Sequence, residues 1–432
     1  MKHLDIRARE SRPLVLSALC FFFILTAYYI IRPVRDQLSG AVGSTSLPIF
    51  YSATFVATLL LTPVFGMLVA RFPRRQLMLW SYSFFIVCLL AFVPAFVFQD
   101  QIGAKLLGTV FFVWVSVFNL FVVSLFWSLM ADIWTSHQAR RLFSMVALGG
   151  TAGALAGPII TSLLVKVLGV APLLVVSAVL LTVALGLLLR LSSDDEDASR
   201  ESAKAIGGSL LAGARQVMTQ PFLRNMALLM LLNDGIGTVA YALVADYAKA
   251  HYVSDAARTA MYAHLDLAIN VLGALMQISL TRWILYRLSV TWGLVIPALV
   301  NVVLLLMVVV WGRDMRVFGT VVSLVLVLQV VARGTQYGML KPATDSLYTR
   351  IAREARYKGK NFVETAVWRF GDLFVTTSLN LLRGIGVTLT GLAAISAGLS
   401  GVAAWIGVRA SHSSDLLEEA PETGGVSERP GP

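Results

Sequence analysis

Runs of eighteen or more mostly apolar residues recur from one end of this chain to the other, and no other feature restricts its folding so strongly. About 20 residues of helix, rising 1.5 Å each, cross a hydrocarbon layer about 30 Å thick. Within that layer every backbone N–H and C=O must be satisfied inside the chain, so runs of this length are helices. Windows of about 19 residues divide the chain into twelve spans. The first six are Pro13–Ile31, Leu47–Ala70, Leu77–Phe98, Leu106–Met130, Leu142–Leu168 and Val170–Arg190. The others are Phe222–Ala248, Ala260–Leu280, Leu288–Trp311, Val317–Leu340, Phe362–Leu382 and Val387–Val408. Only Gly169 separates the fifth from the sixth.

Composition agrees with a membrane chain. Of 432 residues, 57% are hydrophobic and only 14% charged, against about 25% charged in soluble domains. The net charge of +11 does not point to nucleic acid, because the basic residues are scattered through short connections between spans. With the N-terminus in the cytoplasm, Lys and Arg are more than twice as frequent on the inner side, so both termini are placed inside. The polar stretch Ser192–Gln220, with the cluster Asp194–Asp197, splits the spans six and six. The expected organisation is a cytoplasmic N-terminus (1–12), a six-helix bundle (13–190), a cytoplasmic linker (191–221), a second six-helix bundle (222–409) and a disordered cytoplasmic tail (410–432). The fold class is thus an all-α integral membrane protein of twelve transmembrane helices in two six-helix bundles. Cys20 and Cys88 both lie in apolar runs and read as small core residues.

Ionisable residues inside such runs are costly and usually face a cavity or a partner. They concentrate in Ala27–Gln37, where Tyr28, Arg32 and Arg35 share a helix face and Asp36 follows. A salt-bridged helix end with snorkelling arginines is the rival reading. Asp266, Asn270, Gly273 and Gln277 make a polar stripe down the eighth span, and Glu364, Trp368 and Asp372 another on the eleventh. Arg369 stands three residues before Asp372 and can pair with it. Asp234 and Arg333 lie within the seventh and tenth spans. Interhelical hydrogen bonds explain the Asn and Gln residues as well as substrate contacts do. Arg350, Arg353 and Arg356 follow a three-residue spacing, with Leu347 and Ile351 on the opposite side, which suits a surface helix on anionic lipid. No Walker loop, zinc-protease motif or nucleophile elbow occurs, so neither an enzyme nor a nucleotide-driven pump is expected, and no catalytic residue, cofactor or metal ligand is assigned.

Six-helix halves in one orientation are similar to the major facilitator architecture, which binds substrate between the halves near the midplane. Gly66 to Arg75, with Arg71, Arg74 and Arg75, resembles that superfamily's loop between helices two and three. The resemblance implies close helix approach at the glycine and a conformational latch at the arginines. Plain positive-inside charge is the alternative. Gly149, Gly153, Gly157 and Pro158 resemble the glycine-proline motif of its antiporters, and simple packing explains them equally well.

Two stretches resemble a narrower group. Tyr28–Asp36 is similar to the first-helix segment of the ATP/ADP translocase family of plastids and obligate intracellular bacteria, with Arg35 at that family's lysine. Lys341–Asp345, Tyr357–Lys360 and Arg369–Gly371 are similar to its P-T-K-E, K-G-K and R-x-G-K segments, with Asp372 where the last lysine stands. Phe126-Trp127 followed by Ala139–Phe143 matches a third stretch. The resemblance implies a bacterial inner-membrane exchanger or secondary transporter of an organic anion, nucleotide-like, phosphorylated or amphiphilic. The reversed charge at Asp372 implies an altered, smaller anionic or zwitterionic substrate. On this reading Tyr28, Arg32, Arg35, Asn270, Arg333 and Arg369 bind substrate. Asp36, Asp234, Asp266, Glu364 and Asp372 couple a proton or gate, and Gly66, Arg71, Arg74, Arg75, Gly153, Gly157 and Pro158 latch the conformation. The expected partners are the small-molecule substrate, membrane lipids and protons as coupling ion. A receptor or assembly partner that keeps the fold without transporting is the alternative.

Overall fold

A computed structural model of the protein describes residues 8–193 and 210–416. The acidic cluster Asp194–Asp197 and the tail from 417 lie outside the described residues, as do the side chains of Arg74, Arg140, Arg353 and Arg356. Ten helices among the described residues are long and apolar enough to cross a membrane. In the first half these are Ala8–Val42, Leu47–Arg71, Arg74–Val97, Ala104–Ile133, Ser136–Leu168 and Ala171–Ser193. In the second half Pro221–His251, Val290–Trp311 and Leu389–Ser411 are unbroken seventh, ninth and twelfth spans. The eighth runs from Asp255–Met276 through a π turn, Gln277–Thr281, into Arg282–Arg287. The tenth (Leu324–Thr335, Lys341–Tyr348) and eleventh (Arg353–Phe362, Trp368–Gly384) are more polar and likewise carry π turns, at Gln336–Leu340 and Val363–Val367. With them the spans number twelve.

Local chemistry explains several boundaries. The fifth span starts at a capping box in which Thr135 and Gln138 satisfy each other's backbone N–H. It ends because Gly169 takes φ 80°, a conformation costly for any residue with a Cβ, so the fifth and sixth spans are separate helices. A π turn inserts an extra residue and disturbs the local ladder of carbonyl acceptors. In the tenth span the Gly338 carbonyl accepts from the Thr281 hydroxyl at 2.6 Å, which joins two π turns.

The boundaries correct the sequence reading in five places. The first span does not close at Ile31 but continues to Val42, which puts Arg32, Arg35 and Asp36 inside the helix and away from its end. The tenth begins only at Leu324, because residues expected in it form a hairpin of Asp314–Val317 and Thr320–Ser323. The linker contains a helix, Leu210–Thr219, which packs on the helix Arg353–Phe362. The arginine-bearing surface helix breaks before Arg353, and Leu347 and Ile351 are buried in the core with Phe222 and Tyr348. The start of the tail is ordered. The Asp415 carboxylate accepts from the Phe222 N–H at 3.0 Å and so caps the seventh span.

The first and last described residues, Ala8 and Leu416, lie at the same end of the bundle, called here the near end. The two halves meet where the fifth span packs on the eighth, the first on the seventh and eighth, and the second on the eleventh. At the far end the joint is polar. Asp246 of the seventh span accepts from the Ser44 N–H at 2.8 Å and hydroxyl at 2.9 Å, and from Arg383 of the eleventh at 2.7 Å. Lys249 donates to the Val42 carbonyl at 2.9 Å, Asn380 to the Thr45 carbonyl at 3.1 Å, and Gln99 to Asp255 at 2.8 Å.

Candidate functional site

The first span crosses the fifth closely enough that a Cβ on Gly149, Gly150 or Gly153 would collide with Ala18, Phe21 or Phe22, and one on Gly157 would lie 2.6 Å from the Tyr29 Cβ. Gly153 and Gly157 therefore serve packing against the first span, and Pro158 lies within the same helix. This crossing holds the first span against the axis of the molecule, and its charged turn faces the second half.

There the charges take partners from distant spans. Arg35 holds Asp36 through Nε at 2.8 Å and Nη2 at 2.7 Å, and its guanidinium lies 4.5 Å over the Phe112 ring. The Tyr241 hydroxyl of the seventh span donates to the same Asp36 oxygen at 2.9 Å. Arg32 Nε stands 3.5 Å from Asp266 of the eighth span and 4.0 Å from Asp36, and its guanidinium is 5.5 Å from the Tyr29 ring. Tyr28 stacks against Phe118. In the second half Arg333 pairs with Asp234 and donates to Gln336 at 2.9 Å, while Gln336 donates to Asp234 at 3.0 Å. Thr238 donates to Asp372 at 2.7 Å, with Arg369 at 3.8 Å from the same carboxylate. Four arginines thus face four aspartates, and the group is neutral when all are ionised.

On the near side of the Arg32–Asp266 pair lies a cavity of about 240 Å³ between the first, fifth, eighth and tenth spans. Tyr29, Thr151, Asn270, Gln277 and Tyr337 supply its polar lining, among apolar Phe21, Leu25 and Ile269. Asn270 borders the cavity but also donates to the Ala154 carbonyl at 2.8 Å, an interhelical bond to the fifth span.

The remaining candidates fall elsewhere. Glu364 does not continue a stripe with Asp372, because the π turn at Val363–Val367 rotates it away; it pairs with Lys341 and Lys360 toward the near end, where Lys341 and Lys360 also hold Asp345. Gly66 has open space where a Cβ would stand, so the close approach expected of it is absent at that position. Arg71 lies 5.9 Å from the Phe72 ring. Sequence reasoning missed Tyr241, Thr238 and Gln336. Tyr241 and Thr238 were hidden in an apolar run, whereas Gln336, three residues after Arg333, stood at a spacing that shares a helix face.

A sequence profile described as the Major Facilitator Superfamily matches residues 14–357. The chain belongs to this superfamily. No curated protein matches it significantly. Its fold is similar to a mutant form of the nucleoside transporter NupG, with a TM-score of 0.65 at 12% identity over 92% of this chain and 99% of that one. It is similar also to a bacterial homologue of the iron transporter ferroportin in an inward-facing state (TM-score 0.64, 17% identity, 94% and 100% covered). A bacterial homologue of the human lysosomal transporter Spinster gives 0.59 at 12% identity, with 96% and 100% covered. At these identities the likeness is one of fold: a major facilitator protein of two six-helix halves.

Proposed function

We propose that the protein is a secondary transporter that carries a small organic anion or zwitterion across a membrane by alternating access to the cavity between its halves. One observation carries the reading: the Arg32–Asp266 ion pair lies well inside the first and eighth spans and joins the two halves beside that cavity. Charges in such a place are costly unless they are used. A ligand that engages them acts on the contact between the halves, which links binding to their movement. Membership of the superfamily and the similarity to transporters of nucleosides and metals support transport as the class of activity.

The resemblance to ATP/ADP translocases makes nucleotide exchange the finer reading to weigh. Arg35 keeps that family's charge, but its guanidinium is occupied by Asp36, and Asp372 adds a carboxylate beside Arg369. A triphosphate entering a neutral set of charges gains little net attraction, so we favour a smaller substrate of low net charge. We place Asp266 as the coupling group, by proton or by exchange, and both termini in the cytoplasm of a bacterial inner membrane.

The test is uptake and counterflow in proteoliposomes against nucleotides, phosphorylated metabolites, amino acids and amphiphilic anions. Saturable counterflow of one class is expected, with Asp266→Asn losing gradient-driven uptake but keeping exchange. Correctly folded protein that moves none of them favours a receptor or assembly partner.

A further inference from the structure

The Arg32–Asp266 pair differs from the other buried pairs in being incomplete. Asp36 and Asp234 each accept hydrogen bonds from two side chains, from Arg35 and Tyr241 and from Arg333 and Gln336 respectively. By contrast, Asp266 Oδ2 and Arg32 Nε are both buried and have no hydrogen-bond partner among the described residues, and the Asp266 side chain is only 6% exposed. A buried ion pair without hydrogen bonds is poorly compensated, so polar groups of an entering molecule have most to offer here.

The cavity adjoins this pair on both helices. Tyr29, whose ring faces Arg32, lies three residues nearer the N-terminal end of the first span. Ile269 and Asn270 follow Asp266 by three and four residues and so share its face of the eighth span. The first and eighth spans run in opposite directions, so the pair stands at the far end of the cavity as approached along either helix. The pair thus lies behind the cavity's lining, one helical turn beyond Tyr29 on the first span and Ile269 on the eighth, and a molecule that parts it from the cavity meets one guanidinium and one carboxylate.

Resting on the transport reading above, we propose that the substrate is a small zwitterion whose anionic group binds Arg32 and whose ammonium group binds Asp266, the body of the molecule lying against Tyr29, Tyr337 and Ile269. Charge balance selects this class. A simple anion on Arg32 leaves Asp266 without its counter-charge, and a simple cation on Asp266 strands Arg32; either leaves an uncompensated buried charge. A zwitterion replaces one ion pair by two and keeps the site neutral. The cavity of about 240 Å³ falls below the roughly 300–1,000 Å³ usual for drug-sized ligands, which suits an amino acid or an ethanolamine phosphate better than a nucleoside triphosphate. A free metabolite and a zwitterionic lipid headgroup share this chemistry.

The experiment is ligand-induced thermal stabilisation of the purified full-length protein in delipidated detergent, so that it reads binding and not transport. Free amino acids and ethanolamine phosphate are compared with acetate, ethylammonium, ATP and phosphatidylethanolamine. Stabilisation by at least one free zwitterion, and not by acetate, ethylammonium or ATP, is the expected result. Stabilisation by phosphatidylethanolamine alone keeps the bipolar site and makes its occupant a lipid. Preference for acetate or ATP, or no response to any zwitterion, overturns the proposal. In variants, Asp266→Asn should move preference toward simple anions and Arg32→Gln toward simple cations, each weakening zwitterion binding by about tenfold or more. A purely structural pair would lower stability without changing the order of preference. Zwitterion binding without counterflow would leave this site standing and remove the transport reading instead.

Discussion

Arg35 is the residue on which sequence and structure place most weight, yet it contacts Asp36 on its own helix more closely than any group across the cavity. Its removal therefore tests burial before it tests binding. Arg35→Ala strands a carboxylate that is only 4% exposed, and such a break costs about 3–5 kcal/mol. Arg35→Ala should lower the yield of monodisperse protein sharply. Adding Asp36→Asn should restore much of it, because the stranded charge is then gone while Tyr241 can still bond to the amide oxygen. A double-mutant cycle on thermal stability checks this, and strict additivity of the two changes would mean that the pair is not energetically coupled. Arg35→Lys keeps the charge but loses the planar fork that reaches Asp36 through two nitrogens, so an intermediate loss is expected. Asp415 poses a simpler case. It reaches across from the chain's last described segment to cap the seventh span. Asp415→Ala should cost about 0.5–2 kcal/mol, as other lost caps do; an unchanged apparent melting temperature would mean that the contact carries no weight.

At the scale of elements, the crossing of the first and fifth spans is the tightest joint on which the site depends. Neither helix is long on polar partners there; what brings them together is the absence of side chains on Gly149, Gly153 and Gly157. Gly153→Ala should push the first span outward, at a cost of about 1–3 kcal/mol typical of overpacking. It should reduce ligand binding along with stability, because Tyr29 and Arg32 ride on the displaced helix. Gly66→Ala meets open space and should leave both unchanged or raise stability by up to about 1 kcal/mol, since alanine favours the helix. Parallel thermal scans of the two variants read the difference, and equal damage from both would refute this account of the crossing. The π turns of the second half matter at the same scale. The one at Val363–Val367 sends Glu364 to Lys341 and Lys360, while Asp372 stays buried beside Thr238, so two acids on one span serve different places.

In the whole molecule, the polar contacts at the far end join the halves through Ser44, Asp246, Asn380 and Arg383. Alternating access requires these contacts to open. Cysteines introduced at Ser44 and Asn380, whose residues already touch through a 3.4 Å bond, should cross-link on oxidation in a background with Cys20 and Cys88 replaced. Cross-linking should stop counterflow, and a reductant should restore it. Full counterflow by fully cross-linked protein would show that the far end need not part. Reporter fusions place this end relative to the cell: one at Arg313 should read outside and one at the C-terminus cytoplasm. An outside signal from the C-terminus would reverse the assignment of the two ends.

The sequence by itself determined the membrane, the helical class and the division into six and six spans, because apolarity summed over about 20 residues is a local property. It also marked the costly residues, since a charge inside an apolar run stands out wherever the chain later takes it. What it could not supply was their partners. Arg32 meets Asp266, Asp36 meets Tyr241, Asp234 meets Arg333, and Asp372 meets Thr238, and each pairing joins different spans. A low dielectric demands that a buried charge be compensated, but several acids and bases satisfied that demand equally on paper. Only packing chose among them, through helix crossings that depend on which glycines face a neighbour. Gly66 and Gly153 look alike in the sequence, yet one faces open space and the other the backbone of the first span. The extension of that span to Val42 was likewise a tertiary decision. Its charged turn, which would end a helix exposed to lipid, continues because Asp266, Tyr241 and Phe112 receive it.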